Sequence, residues 1–238
     1  MTSSKQNAFT LIELLVVISI IAILAGIALP VFGEVQARGA QTKALSNAKQ
    51  VGLACKLFAQ DYDGNFPLWT DPATKNGDPS DANAALQVLL PDYIPDKGVF
   101  AIPKSAYCKN AGKSGGGASS ATTLGAGESE WAYVIGLTDT SNSRYPLIAD
   151  GFASGGTTYV ADETQPGGVW KGKKAVVIRV DISGAVETTY KQGDTYSVKR
   201  DDNPKENAFV PAPGSTPPWL SGAGVRVLNP IASGGSGS

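Results

Sequence analysis

Glu13 is the ionisable residue whose setting most strongly suggests a chemical role. It lies in an apolar run from Phe9 to Phe32 that contains no other acidic or basic side chain. A carboxylate inside a membrane is costly, and by default it is a functional group that requires a cationic partner. The chemistry that this pattern predicts is therefore charge pairing in an apolar environment, with Glu13 as the anion.

Other kinds of chemistry have little support in the sequence. The chain of 238 residues contains no histidine, which excludes Ser-His-Asp triads, Cys-His pairs and His-ligated zinc sites. Asp150, Asp162 and Asp181 could approach one another in a folded domain, but their spacing defines no site. The net charge of −1 provides no basic field for nucleic acid. We therefore predict no catalytic residue, no metal site, no cofactor and no nucleic-acid partner.

A single long helix is expected to position Glu13. Because an α-helix rises about 1.5 Å per residue and the hydrocarbon core is about 30 Å thick, Phe9 to Phe32 is long enough to span a membrane. From Glu34 to Tyr62, apolar residues recur at steps of three and four, so this outer half should pack one stripe on a globular domain. The stripe consists of Ala48, Val51, Cys55, Phe58 and Tyr62. Gly26 and Pro30 predict a kink, because proline removes a backbone donor and crowds the preceding turn.

The chain after the long helix has the pattern of a loop-rich head. Gly64 and Pro67 predict the end of the helix. The alternative is a calcium loop beginning at Asp61, but it lacks the bidentate glutamate of a complete EF-hand loop. Asp81 predicts the start of a short helix over residues 82–90. Strands are predicted over residues 131–137, 145–150, 175–181 and 185–190, with the last two joined as a hairpin.

Residues 203–238 lose this pattern. They are rich in Pro, Gly, Ser and Asn, and their only anchors are Trp219 and the short apolar stretch Val225 to Leu228. A segment of this composition cannot bury enough apolar surface to order itself. We therefore predict a C-terminal tail whose last five residues are disordered.

Ala8 to Leu15 carry a motif with a known counterpart. Their sequence, Ala-Phe-Thr-Leu-Ile-Glu-Leu-Leu, follows a short polar leader that contains Lys5. It resembles the prepilin peptidase site of type IV pilins and type II secretion pseudopilins. The resemblance implies cleavage between Ala8 and Phe9, N-methylation of the new amino terminus at Phe9, and pairing of Glu13 with a neighbour's Phe9 amine during filament assembly. This chain departs from the family at Ala8, where the family almost always has glycine.

Two other interpretations of the opening stretch remain open. One is an ordinary membrane anchor, and the other is a secretory signal peptide, for which Gly26-Ile27-Ala28 offers small residues at a plausible cleavage site. Neither interpretation gives Glu13 a reason to be present. The pilin-like interpretation is therefore favoured.

The two cysteines, Cys55 and Cys108, allow one disulfide at most. The resemblance places the head in an oxidising periplasm, where disulfides persist, so Cys55 and Cys108 are a possible pair. The alternative is two unconnected thiols, because cysteine often serves as a small buried hydrophobe.

These expectations define an α+β, pilin-like fold. It is a lollipop in which the outer half of a long N-terminal helix packs on a loop-rich head with a small antiparallel β-sheet. The predicted divisions are a leader (1–8), the membrane or filament-core half of the helix (9–32), its amphipathic outer half (33–62), the head (63–202) and the tail (203–238).

The resemblance implies a structural role and not an enzymatic one. It implies a subunit that polymerises through its N-terminal helix into a type IV pilus-like or type II secretion pseudopilus filament. The implied partners are further copies of the chain, the prepilin peptidase, an inner-membrane assembly platform with its ATPase, and minor pilins or pseudopilins. The implied location is the bacterial inner membrane, with a single span and a periplasmic head, and then a filament in the periplasm or on the cell surface. The alternative is a membrane-anchored periplasmic binding module or enzyme that does not polymerise.

Overall fold

A computed structural model of the chain describes residues 10–102, 105–109, 122–216 and 218–233, with the backbone but not the side chains of residues 28–31. The chain divides into two compact units, Met1–Ala40 and Gln41–Ser238. One helix, α1 (Leu11–Asp61), contributes residues to both units. Its observed bounds lie within two residues of the predicted long helix over residues 9–62.

In the first unit, α1 is apolar and exposed. Every side chain from Leu11 to Ile27 is exposed. No single helix among the described residues is long and apolar enough by itself to cross a membrane, whereas the bent pair Leu11–Ile27 and Phe32–Asp61 satisfies both conditions together. The side chain of Pro30 lies outside the described residues, so the kink at Gly26 and Pro30 stays a prediction.

In the second unit, one stripe of α1 forms part of the hydrophobic core. Ala48, Val51, Cys55 and Phe58 are buried as predicted, and Tyr62 is half-buried and stacks on Phe58 with ring centroids 4.1 Å apart. The helix ends at the predicted place. Gly64 has a positive φ of 78° and its N–H donates to the carbonyl oxygen of Ala59 at 2.8 Å, which satisfies a carbonyl of the last turn.

The head contains a five-stranded antiparallel sheet of order β4-β3-β2-β1-β7 and a separate two-stranded ribbon, β5-β6. The strands are β1 (Trp131–Ile135), β2 (Pro146–Asp150), β3 (Lys174–Arg179), β4 (Gly184–Thr188), β5 (Tyr190–Gln192), β6 (Thr195–Ser197) and β7 (Arg226–Leu228). A Cβ atom at Gly52 of α1 would lie only 3.1 Å from Cγ2 of Ile178, so glycine allows the helix to approach β3 closely. The α+β, pilin-like prediction is confirmed.

A short helix, α2 (Ala82–Leu86), begins where Asp81 predicted it. The Asp81 carboxylate accepts a hydrogen bond from the N–H of Ala84 at 2.9 Å, as an N-cap residue should. The remainder of the predicted helix over residues 82–90 is a 3-10 turn, Gln87–Leu89. A second 3-10 turn covers Lys97–Phe100.

The predicted boundary between head and tail needs correction. The described residues beyond Asp202 belong to the head, because Trp219 is buried and β7 pairs with β1. Trp219 Nε1 donates to the carbonyl oxygen of Ala208 at 2.8 Å, and the guanidinium of Arg200 lies 5.3 Å from its ring centroid. Trp219 and the apolar stretch from Val225 to Leu228 are therefore packed as predicted. They belong to the head, however, and β7 is one strand of its sheet. The last five residues lie outside the described residues, and their disorder stays a prediction.

Candidate functional site

Glu13 closes the first turn of α1 together with Thr10. Glu13 Oε2 accepts hydrogen bonds from the Thr10 backbone N–H at 2.9 Å and from the Thr10 hydroxyl at 2.7 Å. In return, the Glu13 N–H donates to Thr10 Oγ1 at 3.3 Å. This reciprocal arrangement is a capping box, which satisfies two backbone donors that the helix start would otherwise leave unpaired.

The capping box fixes where the carboxylate lies. It holds Oε2 beside Thr10, the residue that follows Phe9 in the sequence, while none of these hydrogen bonds among the described residues uses Oε1. The sequence pattern Thr-x-x-Glu was a usable signal for this contact, and sequence reasoning missed it. Ala8 and Phe9 lie outside the described residues, so cleavage, methylation and pairing with the Phe9 amine stay predictions.

The helix surface around Glu13 is apolar and exposed. Leu11, Ile12 and Ile27 are 79%, 73% and 66% exposed, and apolar side chains occupy all sides of the helix between them. A helix that is apolar on all sides is stable only in lipid or packed among other helices. The geometry thus places one carboxylate at the start of a helix that requires an apolar environment.

Comparison with known proteins adds to this geometry. Residues 3–29 match the family model of the prokaryotic N-terminal methylation motif. The type IV major pilin protein PilA of Myxococcus xanthus is 46% identical over 59 residues, which is 25% of this chain and 27% of the relative. A type IV major fimbrial protein FimA of Dichelobacter nodosus is 38% identical over 85 residues, which is 34% of this chain and 53% of the relative. The N-terminal part of the chain is therefore similar to type IV pilins and carries their methylation motif.

The similarity covers no more than about a third of this chain. A second FimA sequence from Dichelobacter nodosus is 37% identical over 78 residues, which is 32% of this chain and 50% of the relative. The chain therefore spans about half the length, or less, of the curated relatives it matches. No solved structure matches the chain.

Both cysteines of the chain, Cys55 and Cys108, are free and buried. Cys55 lies in the packed stripe of α1, whereas Cys108 Sγ donates to the carbonyl oxygen of Phe100 at 3.8 Å and lies beside Glu130. The possible disulfide between Cys55 and Cys108 is therefore not formed in the structure. The expectation of a pair rested on the number of cysteines and their compartment, neither of which fixes where the two side chains lie.

We expect both thiols to resist alkylation in the folded pilin and to react fully after unfolding without a reductant. The physical reason is access, because both side chains are buried and burial raises the pKa of the Cys108 thiol. Intact-mass measurement after iodoacetamide treatment, in buffer and in denaturant, tests this. The Cys108→Ser variant should take up one label instead of two. An unfolded wild-type chain that takes up label only after reduction would restore the disulfide.

The three aspartates noted in the sequence do not come together as one site. Asp162 and Asp181 each shape a local turn, since Oδ1 of each accepts a backbone N–H two residues later, at 2.9 and 2.8 Å. Asp150 is fully buried at the end of β2. Within the described part of the chain, no group of three or more Asp, Glu or Cys side chains could hold a metal ion.

The structure instead pairs Asp150 with Glu130, a residue that sequence reasoning missed. Both are fully buried at neighbouring ends of β1 and β2, where Asp150 lies opposite Trp131 and the Gly151 N–H donates to the Glu130 carbonyl oxygen at 2.7 Å. Asp150 Oδ1 accepts from the Val176 N–H at 2.7 Å and from the Tyr159 hydroxyl at 3.4 Å. Among the described residues, no partner reaches Asp150 Oδ2 or either carboxyl oxygen of Glu130. We call Glu130 and Asp150 the carboxyl pair.

Burial dominates the electrostatics of the carboxyl pair. Removal from water disfavours the charged form, and this raises the pKa of Asp150 to about 8. Burial, and then the charge on Asp150, raises the pKa of Glu130 well above its ordinary value. The pair is therefore stable in the folded head chiefly in its protonated form. A glutamate directly before a strand gives no sequence signal of such burial.

Proposed function

We propose that this pilin is a structural subunit that polymerises through α1 into a type IV pilus-like or type II secretion pseudopilus filament. One observation carries the proposal: Glu13 is the only ionisable group in residues 11–33 of α1, and every side chain from Leu11 to Ile27 is exposed. Packing of these helices side by side would cover the apolar surface and would leave the carboxylate in need of a cation.

The capping box suggests how the subunit tolerates Glu13 before assembly. The two hydrogen bonds that Thr10 donates to Oε2 stabilise the carboxylate within its own helix. Oε1 then remains for a cationic partner. After removal of residues 1–8, the new amino group at Phe9 of a neighbouring subunit would supply that charge. The same pairing would fix the axial position of one helix against the next.

The head offers a second surface for self-association. On the face of α1 opposite the buried stripe, Leu53 and Leu57 lie one turn apart and are 54% and 51% exposed. Contacts of this face with another subunit would extend the helix packing beyond the apolar run. The prepilin peptidase, an inner-membrane platform with its ATPase, and minor pilins are the further partners in this proposal. Before assembly, the subunit would lie in the inner membrane with its head in the periplasm.

The mature chain is expected to begin at Phe9 and to carry one methyl group on its amino terminus. The reason is the match of residues 3–29 to the methylation motif. Intact-mass and N-terminal peptide analysis of membrane-extracted protein measure this. Ala8→Gly should be processed at least as well as the wild type, and Ala8→Leu, which places a bulky side chain at the cut, should accumulate precursor. A dominant species that keeps Met1 to Ala8, or that begins near Leu29, would contradict the proposal.

Imaging of filaments tests the function itself. Filaments sheared from the cell surface whose main subunit gives peptides of this head support the pilus. Loss of protein secretion in a deletion strain that has no surface filaments supports the pseudopilus. A deletion strain that keeps both its filaments and its secretion would favour the membrane-anchored alternative.

A further inference from the structure

The surroundings of the carboxyl pair contain acidic and neutral groups. Segment 105–109 contributes the Cys108 thiol and the Tyr107 hydroxyl, which donates to the carbonyl oxygen of Phe152. The Tyr159 hydroxyl donates to Asp150 Oδ1. From β3, the backbone N–H of Val176 donates to the same oxygen. From β4, the charge of Glu187 helps to raise the pKa of Tyr159. Among the described residues, the interactions that shift either carboxyl come from these groups and from the pair itself, and none comes from Lys or Arg.

β1 and β2 contain no lysine or arginine, and Glu128, two residues before Glu130, forms an ion pair. Lys97 Nζ lies 3.1 Å from Glu128 Oε2, and Glu128 also accepts the N–H of Gly125 at 2.8 Å. The carboxyl pair therefore has no cation from its own strands to offset a negative charge. Either carboxyl can ionise only if water reaches it.

One described segment that packs against the surroundings of the carboxyl pair is residues 226–233, which we call the C-terminal arm. Gly127 donates its N–H to the carbonyl oxygen of Ile231 at 2.8 Å, and Asn229 Oδ1 accepts the N–H of Phe152 at 3.2 Å. The arm is thus bonded to chain segments that flank both carboxyls. A Cβ atom at Gly151 would lie 2.6 Å from the Tyr107 ring and 2.9 Å from Cγ of Pro230, so the arm and Tyr107 pack directly over the residue that follows Asp150.

We propose that the carboxyl pair is a proton-operated latch for the C-terminal arm. With both carboxyls protonated, the pair fits its dry surroundings and the arm stays closed. Loss of a proton creates a buried charge, and the lowest-energy route to hydration is to lift the arm. β7 pairs with β1 over only three residues and lies at the edge of the sheet, so opening the arm breaks fewer strand contacts than opening β2 or β3. The arm therefore opens as the pH rises.

Hydrogen exchange of the full-length pilin in detergent micelles, followed by mass spectrometry from pH 6 to pH 9, tests the latch. Protection factors are corrected for the pH dependence of intrinsic exchange. For each proton released on opening, protection of the arm should fall about tenfold per pH unit. The arm should also be at least about tenfold less protected than β3 at every pH, because β3 exchanges only through larger openings.

The neutral double variant Glu130→Gln/Asp150→Asn should retain arm protection within about threefold over this range. The matched control, Glu163→Gln/Asp92→Asn, removes one glutamate and one aspartate charge from exposed positions and should keep the wild-type slope. Three results would each overturn the latch: arm protection that does not depend on pH, equal protection of the arm and β3, or a wild-type slope in the neutral variant. The first two are measured on the wild type, so they decide the matter even if the double variant does not fold.

Discussion

Replacement of Glu13 by Gln is expected to leave the pilin in the membrane at its normal level and to reduce filaments at least about tenfold, because one partner of a desolvated ion pair is lost. Insertion should be unharmed or easier without the charge. The helix start should also persist, because Gln can take the place of Glu in a capping box with Thr10. The change therefore removes the charge and keeps the local structure.

Fractionation with immunoblotting measures membrane levels, and electron microscopy of sheared material measures filaments. Glu34→Gln is the matched control, since Glu34 is exposed on the same helix but lies outside the apolar run. It should assemble like the wild type. Normal filaments built mainly from the Glu13→Gln subunit would refute the proposed role of this carboxylate, and equal losses in both variants would attribute the effect to charge on the helix in general.

The free energy of unfolding of the head is expected to fall as the pH rises from about 4 to about 8. The unfolded chain releases the proton of Asp150 near its ordinary pKa of about 3.9. The folded head retains the proton until the pH approaches 8. Between these values the unfolded state binds fewer protons, so Asp150 alone lowers the stability by about 1.4 kcal/mol per pH unit, or about 6 kcal/mol in all. Above pH 8 this contribution no longer changes.

Denaturant unfolding of the full-length pilin in micelles, followed by tryptophan fluorescence from pH 5 to pH 8.5, measures this slope. Asp150→Asn should reduce the slope by about 1.4 kcal/mol per pH unit, because the amide oxygen can still accept from Val176 while this side chain no longer loses a proton. The share that comes from Glu130 should remain. Asp162→Asn, at an exposed position, should leave it unchanged. Stability that rises with pH over this interval, or an unchanged slope in Asp150→Asn, would show that Asp150 is ionised in the folded head.

Local signals in the sequence predicted much of the fold. The end of α1, the N-cap at Asp81 and the β3-β4 hairpin each depend on residues close together in the chain, such as Gly64 in its left-handed conformation. The β1-β7 pairing could not be predicted in this way. A three-residue strand in a Pro- and Gly-rich segment has almost no pattern of its own, and its partner is distant in sequence.

The candidate site was predictable to a different degree in each unit. In the first unit, Glu13 is evident because an ionisable residue contrasts with an apolar run. In the head, Glu130 does not differ in polarity from the residues before it, since it follows Gly, Glu and Ser and precedes a strand. Its sequence context therefore does not mark it as unusual. Its burial results from residues distant in sequence, such as Phe100, Cys108 and Asp150, that the fold brings around it. The free state of Cys55 and Cys108 is likewise a matter of where distant segments pack.

The position of β7 imposes an order on biogenesis. β1 is bounded by β2 on one side and, on the other, by a strand that is translated about ninety residues later, so closure of the sheet must wait for a long loop to be traversed. A nascent chain that has folded its first strands still exposes the unpaired edge of β1. The sheet is complete only after Leu228 has been synthesised, and a chain truncated before Arg226 would expose an edge strand that can pair with other chains.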